Sequence, residues 1–269
     1  MLPRPWRRTN PNRLAATDAP VGGTGGGSGD AVAGTATIAG MTSDRDASGG
    51  YDPQSFDHFA QDYDRYCELK RSETDWIASL GLGGSRALDA GCGSGRHAVR
   101  LAERFDQVLG VDLSAPLVRI GRSRRPNPRV RYLVADLMDF SDADGFDLVF
   151  SSTTLHHLPD LEAALGRLKG MVRPGGTAVL VDNVANRPTP PRWVYLAGAV
   201  AALPGDIRRF GWREAWWLLR FATCPPWLDH LASDRYLSRG EFERRYGAVF
   251  PGARYVDRGF AHALVWRRG

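Results

Sequence analysis

The chain has 269 residues, 43% of them apolar, and a net charge of +5 from 35 basic and 30 acidic side chains. That is enough for one large domain or two small ones with a sizeable core, and the basic excess does not argue for a nucleic-acid partner, because Lys70 and Lys169 are the sole lysines beside a genome-like surplus of arginine. Cys67, Cys92 and Cys224 are too scattered for a disulfide framework or a zinc site and fit a reducing cytoplasm, while the longest apolar run, Trp193 to Leu203, falls short of the ~20 residues of a transmembrane segment.

Residues 1–50 are rich in glycine, threonine, alanine and aspartate, with VGGTGGGSGD at their centre. Such a segment buries too little apolar surface to offset its ordering entropy, so a disordered tail is expected. A folded domain is expected over 51–269. It opens with a helix carrying Phe56, Phe59, Tyr63 and Tyr66 at helical spacing, a stripe that reads first as core packing, with Tyr63 as a lid residue the lesser reading. A second helix runs through Trp76 and Leu80 to Gly81.

From Arg86 the chain alternates. RALDA, QVLGVDL, VRYLVADL, FDLVFSS and GTAVLVDNV are short apolar runs, separated by turns and, except after VADL, by helical stretches. Buried strands alternating with helices predict an α/β fold, a doubly wound and mainly parallel seven-stranded Rossmann-like sheet with ligands at the carboxyl ends of the strands. The arginines at 119, 122, 124, 125, 129 and 131 have no aromatic among them before Tyr132 and read as a solvated helix face and loop. Residues 186–237 break the alternation and hold five of the eight tryptophans, which reads as a helical insertion or lid. Ser238 and Glu241 then form a capping box for a helix to about Phe250, and ARYVDRG with AHALVWRR predicts a closing antiparallel hairpin.

The stretch LDAGCGSGRHAV places Gly91, Gly93 and Gly95 after the first strand, while the dinucleotide fingerprint wants its third glycine where Arg96 stands. Asp89, Asp112 and Asp136 fall at the ends of the first three strands. So many acids would repel a pyrophosphate but suit a ligand with a cationic sulfonium and ammonium, a ribose and an exocyclic amine. With VLGVDLS, VADLMDF, FDLVFSSTTLHHLPD and LKGMVRPGGTAVLVDN in order, the chain resembles the class I S-adenosylmethionine-dependent methyltransferases, in their small-molecule branch.

That resemblance implies S-adenosylmethionine as cofactor. Asp89, Gly91, Gly93 and Gly95 would surround its methionine part, the glycines letting the backbone approach closely. Asp112 would hold the ribose with Leu113 against the adenine, Asp136 and Leu137 the adenine edge, and Ser151 the floor beneath the sulfonium. His156 is the residue chosen for acceptor chemistry, with His157 given an architectural role, and His58, His97, His230 and His262 weaker claims. Asp182 and Asn183 are similar to the Asp-Asn pair of metal-dependent catechol-type enzymes. Ser152 stands where those have an acid, so no metal is expected. The implied partner is a small methyl acceptor, hydrophobic or aromatic under a tryptophan-rich lid. An RNA or protein methyltransferase using the arginine cluster and a non-catalytic binding protein of the same fold are the alternatives.

Overall fold

The structure, a computed structural model, describes residues 55–70, 76–186 and 189–269. The expected tail of residues 1–50 lies outside the described residues.

Ser55–Phe59 forms a 3-10 turn that runs into α1 (Ala60–Lys70), and after α2 (Trp76–Ser79) the alternation begins. β1 (Gly84–Ala90), α3 (Arg96–Leu101), β2 (Phe105–Asp112), α4 (Ala115–Arg124), β3 (Val130–Val134), β4 (Phe146–Ser152), α5 (Leu161–Gly170) and β5 (Val172–Asn183) follow in order. Then come α6 (Arg192–Phe210), α7 (Trp212–Ala222), α8 (Pro225–Ser233), α9 (Arg239–Val249), β6 (Arg254–Asp257) and β7 (Ala261–Arg267). The seven strands form one sheet in the order β3-β2-β1-β4-β5-β7-β6. The first five are parallel, and β7 runs antiparallel to both β5 and β6. This is the expected doubly wound α/β sheet.

Strand order reverses between β1 and β4, and register aligns their ends: Ala90 pairs with Val111 on one side and Ser151 on the other. The crevice above this pair is where such sheets bind ligands. Both faces of the sheet are covered, as the near-continuous apolar runs require. Leu88, Val149 and Leu180 pack with Leu165, Phe242 and Tyr246 on one face, and Ala87, Val108 and Leu148 with Ala98 and Leu101 on the other.

The RPGG stretch that precedes TAVLVDN is a bulge inside β5. Pairing jumps from Phe146↔Val172 to Leu148↔Thr177, and Gly175 takes φ +75°, so the extra residues loop out without ending the strand.

The arginine cluster is largely solvated, as expected, with Arg119, Arg122, Arg124 and Arg131 exposed, but its guanidinium groups also bond within the fold. Arg124 and Arg125 each lie 3.0 Å from the fully buried carboxylate of Asp64 on α1. The Arg122 and Arg129 side chains donate to the carbonyls of Tyr132 and Ala102. Four of these arginines therefore serve the fold itself.

The segment between β5 and α9 is helical, but its tryptophans divide. Trp227 is buried against Phe59, Phe221 and Tyr66, whereas Trp193 and Trp212 are 67% and 60% exposed and α6 has no buried residue. Of the aromatic stripe before β1, Phe59 and Tyr66 thus pack on Phe221 of α7 and Trp227 of α8, one layer outside the crevice.

Candidate active site

The turn after β1 needs glycine because residues 91, 93 and 95 all adopt left-handed φ values, +74°, +52° and +80°. What fills the missing side chains differs. A Cβ on Gly91 would meet Thr154 at 2.1 Å and one on Gly95 would meet the Tyr132 ring at 2.3 Å, while the nearest atom to one on Gly93 is Leu117 at 4.0 Å. The protein itself occupies two of the three spaces. Only at Gly93 does the backbone stand open to a close-lying ligand.

An open cleft enclosing about 970 Å3, including solvent at its mouth, lies over this turn at the carboxyl ends of β1, β2 and β4. Gly91, Gly93, Asp112, Leu113, Asp136 and Leu137 stand in its wall. A separate hollow on the α3 side, lined by Ile77, Arg104 and Leu148, carries none of the strand-end acids.

Asp112 accepts from the amides of Gly93 at 2.7 Å and Ser114 at 2.9 Å, which fixes its carboxylate at the lip of β2. Burial pushes its carboxyl above the ordinary range, and Asp57 adds repulsion, against the pull of those two amides. Asp136 caps its own turn through the Met138 amide at 2.8 Å.

The remaining expected residues lie beside the cleft. Asp89 and Ser151 are buried in the sheet, and the Ser151 hydroxyl donates to the Ala90 carbonyl at 2.8 Å, tying β4 to β1. Gly95 faces Tyr132. In place of Ser151, the cleft is floored by Ser152, Thr153 and Thr154, with Thr153 in the left-handed region at φ +53°. A β-branched residue there is strained, a cost that the surrounding turn must overcome.

Opposite the acids the wall is aromatic: Phe56 and Tyr63, from the segment before β1, with His157 and Leu158. No tryptophan lines the cleft among the described residues. Phe56 sits 5.8 Å from the His157 ring and 4.4 Å from that of His230.

His156 is outside the wall. Its Nδ1 and amide engage Asp182 at 2.5 and 2.9 Å, and the buried Tyr246 hydroxyl donates to the same carboxylate at 3.2 Å. His157, expected to be architectural, faces the cleft, with Nδ1 3.7 Å from Asp234 just after α8.

A family model described as "Methyltransferase domain" matches residues 88–180. A malonyl-[acyl-carrier protein] O-methyltransferase of Pectobacterium atrosepticum is 32% identical over 191 residues, 68% of this chain and 70% of that relative. The chain belongs to the class I S-adenosylmethionine-dependent methyltransferases.

An uncharacterized methyltransferase of Mycobacterium tuberculosis shares 45% identity over 109 residues, 40% of this chain and 55% of its own length, so the chain spans about half of that relative. Among solved structures, a DhpI complex with S-adenosylhomocysteine has a TM-score of 0.57 and 19% identity, covering 81% of this chain and 96% of its own, a likeness of fold. In this methyltransferase the matched segment runs from β1 to β5 and holds the glycine turn, the strand-end acids and both adjacent histidines. Asp234 and the three helices before it lie beyond the match. Asp234, beside His157, therefore comes from a part of the chain that the family pattern does not describe.

Proposed function

We propose that the protein transfers a methyl group from S-adenosylmethionine to a small hydrophobic or aromatic metabolite. The observation that carries this reading is the division of one cleft into an acidic wall, Asp112 and Asp136, and an aromatic wall, Phe56 and Tyr63. The acidic side fits a ribose and an adenine amine, and the open face at Gly93 fits close approach of the methionine part. Asp89, Gly91, Gly95, Leu113, Leu137 and Ser151 complete the proposed cofactor set, with Asp89, Gly95 and Ser151 acting by holding the turn and the strand ends in place.

S-adenosylmethionine supplies a methyl group already activated by a cationic sulfur leaving group. The protein's share is then chiefly positioning. Phe56 and Tyr63 exclude water and orient an apolar acceptor. His157 lines the cleft beside the acceptor, and His156, held by Asp182, stands behind it. Relatives named as O-methyltransferases support oxygen as the atom methylated.

The test is an untargeted comparison of metabolites from producing cells with and without the gene. A pair of compounds differing by one CH2, with the lighter accumulating in the deletion and methylated by the purified protein, is the expected result. Labelled methyl appearing only in RNA or protein would replace this reading with the macromolecular one.

A further inference from the structure

His156 and His157 stand on the turn after β4, and Asp234 stands after α8. One possible ligand atom from each lies within 4.8 Å of those of the other two. The Asp234 carboxylate is buried, with Oδ1 3.9 Å from His230 Nε2 and Oδ2 accepting from the Tyr236 hydroxyl. Behind His156, the Asp182 carboxylate accepts from the ring at Nδ1.

That last contact decides the chemistry. A carboxylate behind an imidazole holds the proton on the bonded nitrogen, orients the ring and makes the other nitrogen a better donor; metal-bound histidines are held in this way. Tyr236 orients the Asp234 carboxylate in turn. Two imidazoles and one carboxylate, with Asp182 supporting His156 and Tyr236 supporting Asp234, form a nitrogen-and-oxygen donor set suited to a zinc-class divalent cation.

We propose that His156, His157 and Asp234 hold a divalent transition-metal cation, with Zn2+ as the reference ion, at the edge of the cleft that His157 lines. The site is separate from the one that Ser152 argued against. Asp182, which resembles a ligand of the catechol-type enzymes, here supports His156 instead. The proposal rests on the methyl-transfer reading for its role: the cation binds an acceptor oxygen and lowers its pKa. The hydroxyl proton leaves to solvent, the oxygen lone pair forms the new C–O bond, and the broken C–S bond leaves its electron pair on sulfur. No oxidant or reductant enters.

The purified full-length protein, stripped with chelator, is titrated with Co2+ as a spectroscopic stand-in for Zn2+, with and without S-adenosylhomocysteine. One equivalent should bind with the visible d–d bands of a low-coordinate site, and Zn2+ should displace it. His157→Gln and Asp234→Asn should each abolish those bands, and Asp182→Asn should weaken binding by about 10- to 100-fold. Circular dichroism reports the fold of each variant. His157→Gln, the change in the cleft wall, decides the matter should the buried Asp234→Asn fail to fold. Wild-type protein without d–d bands, or bands unchanged in folded His157→Gln, overturns the proposal. Metal binding without binding of S-adenosylhomocysteine would instead defeat the methyl-transfer reading and leave the metal site standing.

Discussion

The hydroxyl of Ser94, inside the glycine turn, donates at 2.5 Å to the carboxylate of Asp64 on α1, 30 residues earlier. Ser114, which caps α4, does the same to Asp57 at 2.5 Å. These two pairs fasten the segment before β1 across the mouth of the cleft, and so place Phe56 and Tyr63 opposite Asp112. Asp64 is fully buried and also pairs with Arg124 and Arg125.

Asp64→Ala should therefore act on fold and site together. Removing one partner of a buried ion pair typically costs ~3 kcal/mol, because the remaining charge is stranded. Arg125, the more buried of the two arginines, faces the gap but keeps its pair with Glu68 at 2.6 Å, which holds the cost at the low end for a buried pair. Guanidinium unfolding should show a stability loss of about that size, and calorimetry should show weaker binding of S-adenosylhomocysteine. A loss below ~1 kcal/mol would mean that the pairs behave like exposed ones and contribute little.

The glycine turn makes a second, ordered prediction. Gly95→Ala adds both left-handed strain and a collision with Tyr132, while Gly93→Ala adds strain alone. Strain of this kind costs ~1–2 kcal/mol, and overpacking adds ~1–3 kcal/mol. Thermal melts should rank Gly95→Ala well below Gly93→Ala, whereas cofactor affinity should suffer at Gly93, which faces the cleft. The opposite ranking in the melts would show that Tyr132 moves aside freely.

The sheet and the acidic wall were legible because local signals carry them: apolar runs of strand length, the first three ending in an acid, put Asp112 and Asp136 on one edge. The Ser94–Asp64 clamp was not, since nothing near Asp64 marks a carboxylate whose partners are 30 and 60 residues away. Which of Ser151 and Ser152, and of His156 and His157, lines the cleft was not legible for another reason. Neighbouring residues at a strand end or in a tight turn point in opposite directions, so an error of one position exchanges wall for interior. The tryptophans misled because their helices pack one layer out, where Trp227 supports the aromatic wall without joining it.

Ser238 offers a check on a feature read entirely from sequence. Its side chain accepts from the Glu241 amide, and the Glu241 carboxylate accepts from the Ser238 amide, the full reciprocal box. Ser238→Ala should destabilise by ~1 kcal/mol, the usual cost of losing an N-cap. Because α9 packs Phe242 and Tyr246 against the sheet, and Tyr246 in turn bonds Asp182, the loss should appear in global unfolding. Loss confined to local fraying by hydrogen exchange would mean that α9 unfolds apart from the sheet.

Asp112 links site and pH. Burial raises its folded pKa above the ordinary 3.8, with Asp57 adding to the rise and the amides of Ser114 and Gly93 opposing it. A carboxyl raised in this way binds its proton more tightly folded than unfolded. Its contribution to stability is fully present below the unfolded value and is lost as pH rises through the folded one. On the proposed placing of the cofactor, binding has the opposite sign, because the ionised carboxylate is the form that would accept from two ribose hydroxyls. Affinity for S-adenosylhomocysteine should accordingly fall on acidification, beginning at a pH above that of a free aspartate. Asp112→Ala should cost about 2 kcal/mol, about 30-fold in affinity, the size of a charge-assisted hydrogen bond. Asp112→Asn, which cannot titrate, should flatten the acid limb of the pH profile. Calorimetry from neutral to acidic pH checks both, and an affinity unchanged in Asp112→Ala would remove the ribose from this residue and with it the placing of the cofactor along the acidic wall.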